Sequence, residues 1–279
     1  MSKYINPFTD YGFKKLFGEE SSKPDLIRFL NSILPDYHQV TSLEYGKNEY
    51  QGLNEFDRKA IVDLNCKTSN DETIIIELQK AKQNYFKDRS VYYSTFPIAE
   101  QAQKGEWNYQ LKAVYMIGIL DFTFNEDKHD KTVVHIVQLK DQNNRLFYPK
   151  LAFIYLTLPN FTKNEYELET NQDKWLYLFN NLPKLDHMPI VYEQDKNFSQ
   201  IFEKAQLAKF NERDLKNYQT SLKEYLDMYN VLESAKQEGK TEGEKKAKIE
   251  IAKSMKLDGL SIENIIKYSG LTKEQIEIL

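Results

Sequence analysis

The chain has 279 residues, 41% of them hydrophobic and 29% charged, with 19 Tyr and 16 Phe; this excludes a disordered chain and suits one larger domain with an appendage. One cysteine, Cys66, excludes an internal disulfide framework and a cysteine zinc site, as expected in a reducing cytosol. The net charge of −4 gives no global pull toward nucleic acid, residues 1–7 lack a basic segment followed by an apolar run, and no stretch offers the ~18 uninterrupted apolar residues of a membrane span, so a cytoplasmic, non-membrane protein is expected.

In residues 8–18, Phe13, Leu16 and Phe17 fall at helical spacing, with Thr9 or Asp10 as cap and Gly18 as stop. A second helix is predicted from Pro24 to Leu34, closed by Pro35, and a first strand within residues 40–50. Residues 58–64 and 74–79 then read as two strands of a hairpin, with the turn formers Thr68-Ser69-Asn70-Asp71-Glu72 between them. From Lys82 to about Lys104 the pattern is helical, with Pro97 as a kink. Strands follow over residues 111–122, 132–139 and, after the Asn143-Asn144 turn, 146–158. From Asn171 onward the signal is helical.

The fold class expected is α/β, a mixed central sheet flanked by helices, with an all-helical C-terminal region. Its parts are a core over residues 1–170, a helical region over 171–236 packed on or beside it, and a flexible helix with a short helical tail over 237–279. Residues 211–256 form a long polar helical pattern in which Leu215, Tyr218, Leu222, Tyr225, Leu226, Tyr229 and Leu232 line one side and ask for a partner, either the chain's own core or a second copy. Residues 237–246, rich in Glu, Lys and Gly, are the candidate linker or flexible helix. The two short helices after Gly259 resemble a helix-turn-helix capped by Thr272, but Glu274 and Glu277 make the last one acidic and favour docking or self-association.

The chemistry lies in the hairpin. If its loop is centred on Asn70, Asp63 falls opposite Glu77; an odd loop keeps both acids on one face and an even loop separates them, whereas Gln79 shares the face of Glu77 in any register. Directly paired residues bring their Cβ atoms to roughly 5 Å, so two like charges there call for a cation between them. Asp63 and Glu77, with the Leu78 backbone carbonyl as a third oxygen, form a donor set suited to Mg²⁺ and to hydrolysis of a phosphodiester. Gln79 carries no charge and is suited to orienting water or phosphate, with Lys59, Lys80 and Lys82 nearby to supply positive charge. His38, His129, His135 and His187 show no metal-ligand spacing.

Asp63 and Glu77-Leu78-Gln79 resemble the D…(D/E)-x-K core of the PD-(D/E)XK nucleases, with Gln in place of Lys. The blocks Asn6-Pro7-Phe8-Thr9-Asp10-Tyr11-Gly12-Phe13, Phe29-Leu30-Asn31, Asp57-Arg58-Lys59-Ala60-Ile61-Val62-Asp63 and Arg89-Ser90-Val91-Tyr92-Tyr93 narrow the resemblance to the bacterial recombination-promoting nuclease or transposase family, strongest over residues 5–93. The resemblance implies a restriction-endonuclease-like core and a Mg²⁺-dependent DNA endonuclease, with Mn²⁺ as a substitute, linked to recombination or mobile elements. Asp63 and Glu77 would be the metal ligands, and Gln79 would stand in the lysine's place. A further acid is expected among Asp10, Glu19 and Glu49, and phosphate contacts from Arg89 and Tyr93. The alternative is a catalytically inactive nucleic-acid-binding or scaffold protein that keeps the fold.

Overall fold

Strands β5 (Thr73–Gln79) and β6 (Val114–Leu120) are buried along their whole length, as near-continuous apolar runs are when both faces of a sheet are covered. A computed structural model of the chain describes residues 2–35, 37–50, 59–102, 107–124 and 129–279. Its central sheet has six strands in the order β1-β4-β5-β6-β8-β7, where β1 is Leu43–Tyr45, β4 Leu64–Thr68, β7 Val134–Lys140 and β8 Leu146–Thr157. The β5–β6 and β6–β8 pairs are parallel; β1–β4, β4–β5 and β7–β8 are antiparallel, so the sheet is mixed, as expected. A two-stranded ribbon, β2 (Glu49–Tyr50) with β3 (Ala60–Ile61), stands apart from it.

Helices cover both faces. On one, α1 (Asp10–Phe17), α2 (Lys23–Ile33), α4 (Asn171–Asn181) and α6 (Lys196–Ala205) share a core with Ile74, Ile76 and Leu78 of β5. Phe17 stacks on Phe179 at 5.7 Å, and Phe29 meets Trp175 at 5.6 Å. On the other face Ile75, Met116 and Tyr155 pack with Phe86 at the start of α3 (Phe86–Ala99) and with Tyr50, Ala60 and Val62. Alternate residues of β5 therefore belong to different cores.

The predicted elements are present with local corrections. Thr9 caps α1, its hydroxyl accepting from the Gly12 N–H at 2.9 Å, and Pro24 lies in the first turn of α2. Residues 40–50 hold two short strands rather than one. The first arm of the hairpin is not continuous: β3 pairs with β2, the chain bends at Asp63, and β4 begins at Leu64. Asn48 makes that bend. Its carbonyl accepts from the Val62 N–H at 2.8 Å, its Nδ2 donates to the Asp63 carbonyl at 3.0 Å, and its Oδ1 accepts from the Asn65 N–H at 3.1 Å, so one side chain replaces ladder partners that a straight strand would need. Helix α3 starts four residues later than predicted because Tyr85 sits in the left-handed region, φ 62°. Pro97 lies inside α3, whose end at Ala99 follows within a turn.

Contacts divide the chain into two units, Met1–Tyr225 and Leu226–Leu279. Helix α7 (Glu212–Leu257) gives Tyr218, Leu222 and Tyr225 to the core of the first unit, so the early part of the predicted stripe has its partner within the chain. Further along, Leu226, Tyr229 and Leu232 are 47%, 50% and 39% exposed. In the second unit, Ala252, Ile265, Leu271 and Ile276 form a small core with α8 (Ile262–Ser269) and α9 (Lys273–Glu277). Thr272 caps α9 reciprocally with Gln275, and Gly270, φ 68°, ends α8. Residues 237–246 lie within α7. Among the described residues no helix is long and apolar enough to cross a membrane.

Candidate functional site

The hairpin register pairs Leu64 with Ile76, Asn65 with Ile75, Cys66 with Ile74 and Lys67 with Thr73. The Thr68 N–H donates to the Glu72 carbonyl at 2.9 Å, leaving Ser69, Asn70 and Asp71 as a loop in which Asp71 takes the left-handed conformation, φ 63°. This is the odd-loop case centred on Asn70, and continuing the register one residue past β4 sets Asp63 opposite Glu77. Because the chain bends there, the Leu78 N–H has no β4 partner; the Asp63 carboxylate takes its place, Oδ2 accepting at 2.6 Å.

Glu77 is 5% exposed, and its Oε1 is buried without a hydrogen-bond partner. Burial, followed by the charge of Asp63, pushes its carboxyl up to about 8, against the opposing effects of Arg89, the Gln79 hydrogen bond and the Asp63 backbone. Burial also raises Asp63, where the Leu78 N–H opposes it, Asp10 adds to it, and Lys14 and Lys80 oppose it. Two carboxyl groups raised by burial thus lie at one end of the hairpin, and the charge of Asp63 disfavours ionisation of Glu77.

Gln79 is buried on the face of Glu77, and its Nε2 donates to Glu77 Oε2 at 3.3 Å and to the Leu78 carbonyl at 3.0 Å. The amide holds two of the three oxygens that the sequence singled out. Gly118 pairs with Glu77 on β6, and a Cβ there would lie 2.9 Å from the Tyr155 ring and 3.2 Å from that of Phe86; only glycine lets α3 approach the sheet this closely beside the acid.

The cations divide into near and far. Lys80 follows β5 with its Nζ 5.2 Å from the centre of the Tyr225 ring; burial lowers its pKa, while Asp63, Asp10 and Glu224 oppose that. Arg89 lies over the rings of Phe86 and Tyr93, donates Nη1 to Gln83, and keeps a buried Nη2 without a partner. Burial and then the charge of Glu77 raise Tyr93, which puts that hydroxyl within the field of the acid. Lys59 pairs with Glu49 of the ribbon at 2.6 Å, and Lys82 is exposed. Of the further acids, Glu19 pairs with Lys15 at 2.9 Å and Asp10 with Lys14 at 2.8 Å; Asp10 is the one whose charge reaches Asp63. Asp57 and Arg58, part of the motif block, lie outside the described residues. Among the described residues no group of three or more His, Cys, Asp or Glu side chains gathers to hold a metal, so the site offers an acid pair and a backbone carbonyl.

Asp121 is a further acid, joined to Gln79 through the backbone, that sequence reasoning missed. It follows β6, its N–H donates to the Gln79 carbonyl at 2.9 Å, and burial raises its carboxyl against Lys184. It opens onto a cavity of about 480 Å³ that also meets Asn6, Lys184 and Tyr225. A second, of about 430 Å³, begins at the neighbouring Phe122. Both lie beyond the C-terminal ends of parallel strands, where open α/β sheets bind ligands.

A family model described as PD-(D/E)XK nuclease family transposase matches residues 7–235. No curated protein and no solved structure matches the chain.

Proposed function

Because the chain belongs to the PD-(D/E)XK nuclease family transposases, we propose that it is a metal-dependent DNA endonuclease whose cation is held by Asp63 and Glu77. The observation that carries this reading is Glu77 itself. A carboxyl buried in a sheet centre, within the field of a second acid and with an oxygen that no protein donor satisfies, has no account in folding, since buried acids are ordinarily paired or hydrogen-bonded.

The donor set fits a hard divalent cation: two carboxylates and the Leu78 carbonyl are all oxygen, as Mg²⁺ requires and Mn²⁺ accepts. When bound, such a cation supplies the positive charge that polarises a phosphoryl oxygen and makes water a nucleophile near neutral pH. The Leu78 N–H orients the Asp63 carboxylate. Gln79 orients Glu77 and the Leu78 carbonyl while leaving the charge of the pair unchanged, so compensation on the protein side comes from Lys80 beside Asp63 and Arg89 beside Glu77. The buried Nη2 of Arg89 is a donor suited to a phosphate oxygen, with Tyr93 next to it. Lys59 and Lys82 stand further out, as contacts for more distant phosphates. Asp10 is favoured over Glu19 and Glu49 as the additional acid because its charge reaches Asp63. The family description, a transposase, supports a role at mobile DNA; action in recombination and in the cytoplasm belongs to the same proposal, and the exposed stretch of α7 supports self-association.

Incubated with Mg²⁺ and supercoiled plasmid, the full chain should yield nicked or linear DNA, and Asp63→Ala and Glu77→Ala should each abolish the product. Undiminished cleavage by both variants overturns the proposal. DNA binding indifferent to EDTA, without cleavage under any divalent metal, would instead identify an inactive DNA-binding or scaffold protein.

A further inference from the structure

The cavity of about 430 Å³ between the start of α3 and the segment after β6 combines two chemistries, aromatic faces and lysine ammonium groups. Phe86 contributes at its base and is itself core, 5% exposed, meeting Phe122 edge-on at 6.0 Å. Phe122 and Phe124 line it further, with Tyr85 at the start of α3. Among the described lining residues Lys82 and Lys87 carry positive charge, the latter with its Nζ 4.6 Å from the centre of the Phe124 ring, and Asp88 carries negative charge.

The backbone of Tyr85 starts α3, but its ring has little part in folding. It is 80% exposed, so its ring buries little, and it holds the left-handed conformation, φ 62°, which is uncommon for a residue with a side chain. Backbone strain and an exposed aromatic ring at the rim of a cavity are the features of a surface that stacks against a planar ligand. The cavity is also tied to the acid pair. Gln83 on its lining accepts from Arg89, whose guanidinium lies over the Tyr93 ring, and Phe86 lies against Gly118, which pairs with Glu77 on the neighbouring strand.

We propose that this cavity takes an unpaired nucleotide of single-stranded or locally unstacked DNA, with the base against Tyr85 and the Phe122–Phe124 wall and the phosphate near Lys82 and Lys87. Base stacking on aromatic side chains with flanking lysines is sequence-tolerant and requires a base released from its duplex. The proposal rests on the reading of Asp63 and Glu77 as a DNA-cutting site and specifies its substrate: DNA that carries an unpaired nucleotide.

The test is fluorescence anisotropy of the full chain in EDTA, where no cleavage intervenes, with a labelled oligo-dT of about ten nucleotides and a blunt duplex. The single strand should bind more tightly than the duplex. Tyr85→Ala should weaken single-strand binding on the order of tenfold while Tyr85→Phe retains it, and Lys82→Ala with Lys87→Ala should flatten its salt dependence. Preference for the duplex, or single-strand binding indifferent to Tyr85→Ala, overturns the proposal. Plasmid cleavage keeps the two readings apart: Tyr85-dependent binding without cleavage upholds the pocket and removes the nuclease, while cleavage with Tyr85-independent binding removes the pocket alone.

Discussion

Asp63 closes the edge of β5 beside Glu77: its carboxylate accepts from the Leu78 N–H at 2.6 Å, and its charge, after burial, helps to push the Glu77 carboxyl up to about 8. The relationship links a stability property, measurable without substrate, to the proposed site.

In metal-free protein the sign of the pH effect follows from Glu77. Below its ordinary value of 4.5 the carboxyl is protonated whether the chain is folded or not. Between 4.5 and about 8 only the folded chain holds that proton, so this contribution to stability falls as pH rises through the window and levels off above it. Thermal melts in EDTA should show the Glu77→Gln variant gaining on the wild type toward about pH 9, by ~2–4 °C for each kcal/mol relieved. Asp63→Asn should narrow the window by removing the neighbouring charge. A wild-type profile no steeper than that of Glu77→Gln would contradict the assignment.

Divalent metal should reverse that penalty. A ligand that binds only the folded state at about 100 times its Kd stabilises by ~2.7 kcal/mol, so Mg²⁺ or Mn²⁺ should raise the melting temperature near pH 8. Asp63→Ala and Glu77→Ala should lose the increment. An equal increment in both variants would place the cation elsewhere.

Gln79 acts through the oxygens it holds. Gln79→Ala frees Glu77 Oε2 and the Leu78 carbonyl and should lower metal affinity or cleavage by about 10- to 100-fold, the usual cost of losing a group that orients a metal ligand. Gln79→Lys brings an ammonium to Glu77, so it should retain cleavage and flatten the metal-free pH profile of the melt. Wild-type cleavage by Gln79→Ala would show that the amide is not used.

Self-association has its own measurement. With Leu226, Tyr229 and Leu232 exposed on α7, light scattering should give a multiple of the chain mass, reduced by Leu226→Glu with Tyr229→Glu and by truncation after residue 230. The same stoichiometry in all three would remove the helix from assembly.

The hairpin was legible because an apolar run of isoleucines demands burial and Thr68 to Glu72 supply the turn formers; which face Asp63 takes depended on the parity of the loop, which Ser69 to Asp71 make odd. The bend at Asp63 was not legible, since it is made by Asn48, a residue 15 positions away that substitutes for ladder partners. Nor was the late start of α3, decided by a left-handed tyrosine that propensity disfavours. Asp121 gave no local signal, because its proximity to Gln79 comes from the parallel pairing of β5 with β6, a relation of topology. The cap at Thr272 was readable from four adjacent residues, as local chemistry generally is.

The most direct measurement of the central claim is the anomalous difference map of a crystal of the full chain soaked in Mn²⁺. The account predicts a peak between the carboxylates of Asp63 and Glu77, within ligating distance of both, and its loss in Glu77→Ala. A peak bound by other residues, in protein that still cuts plasmid DNA, would contradict it.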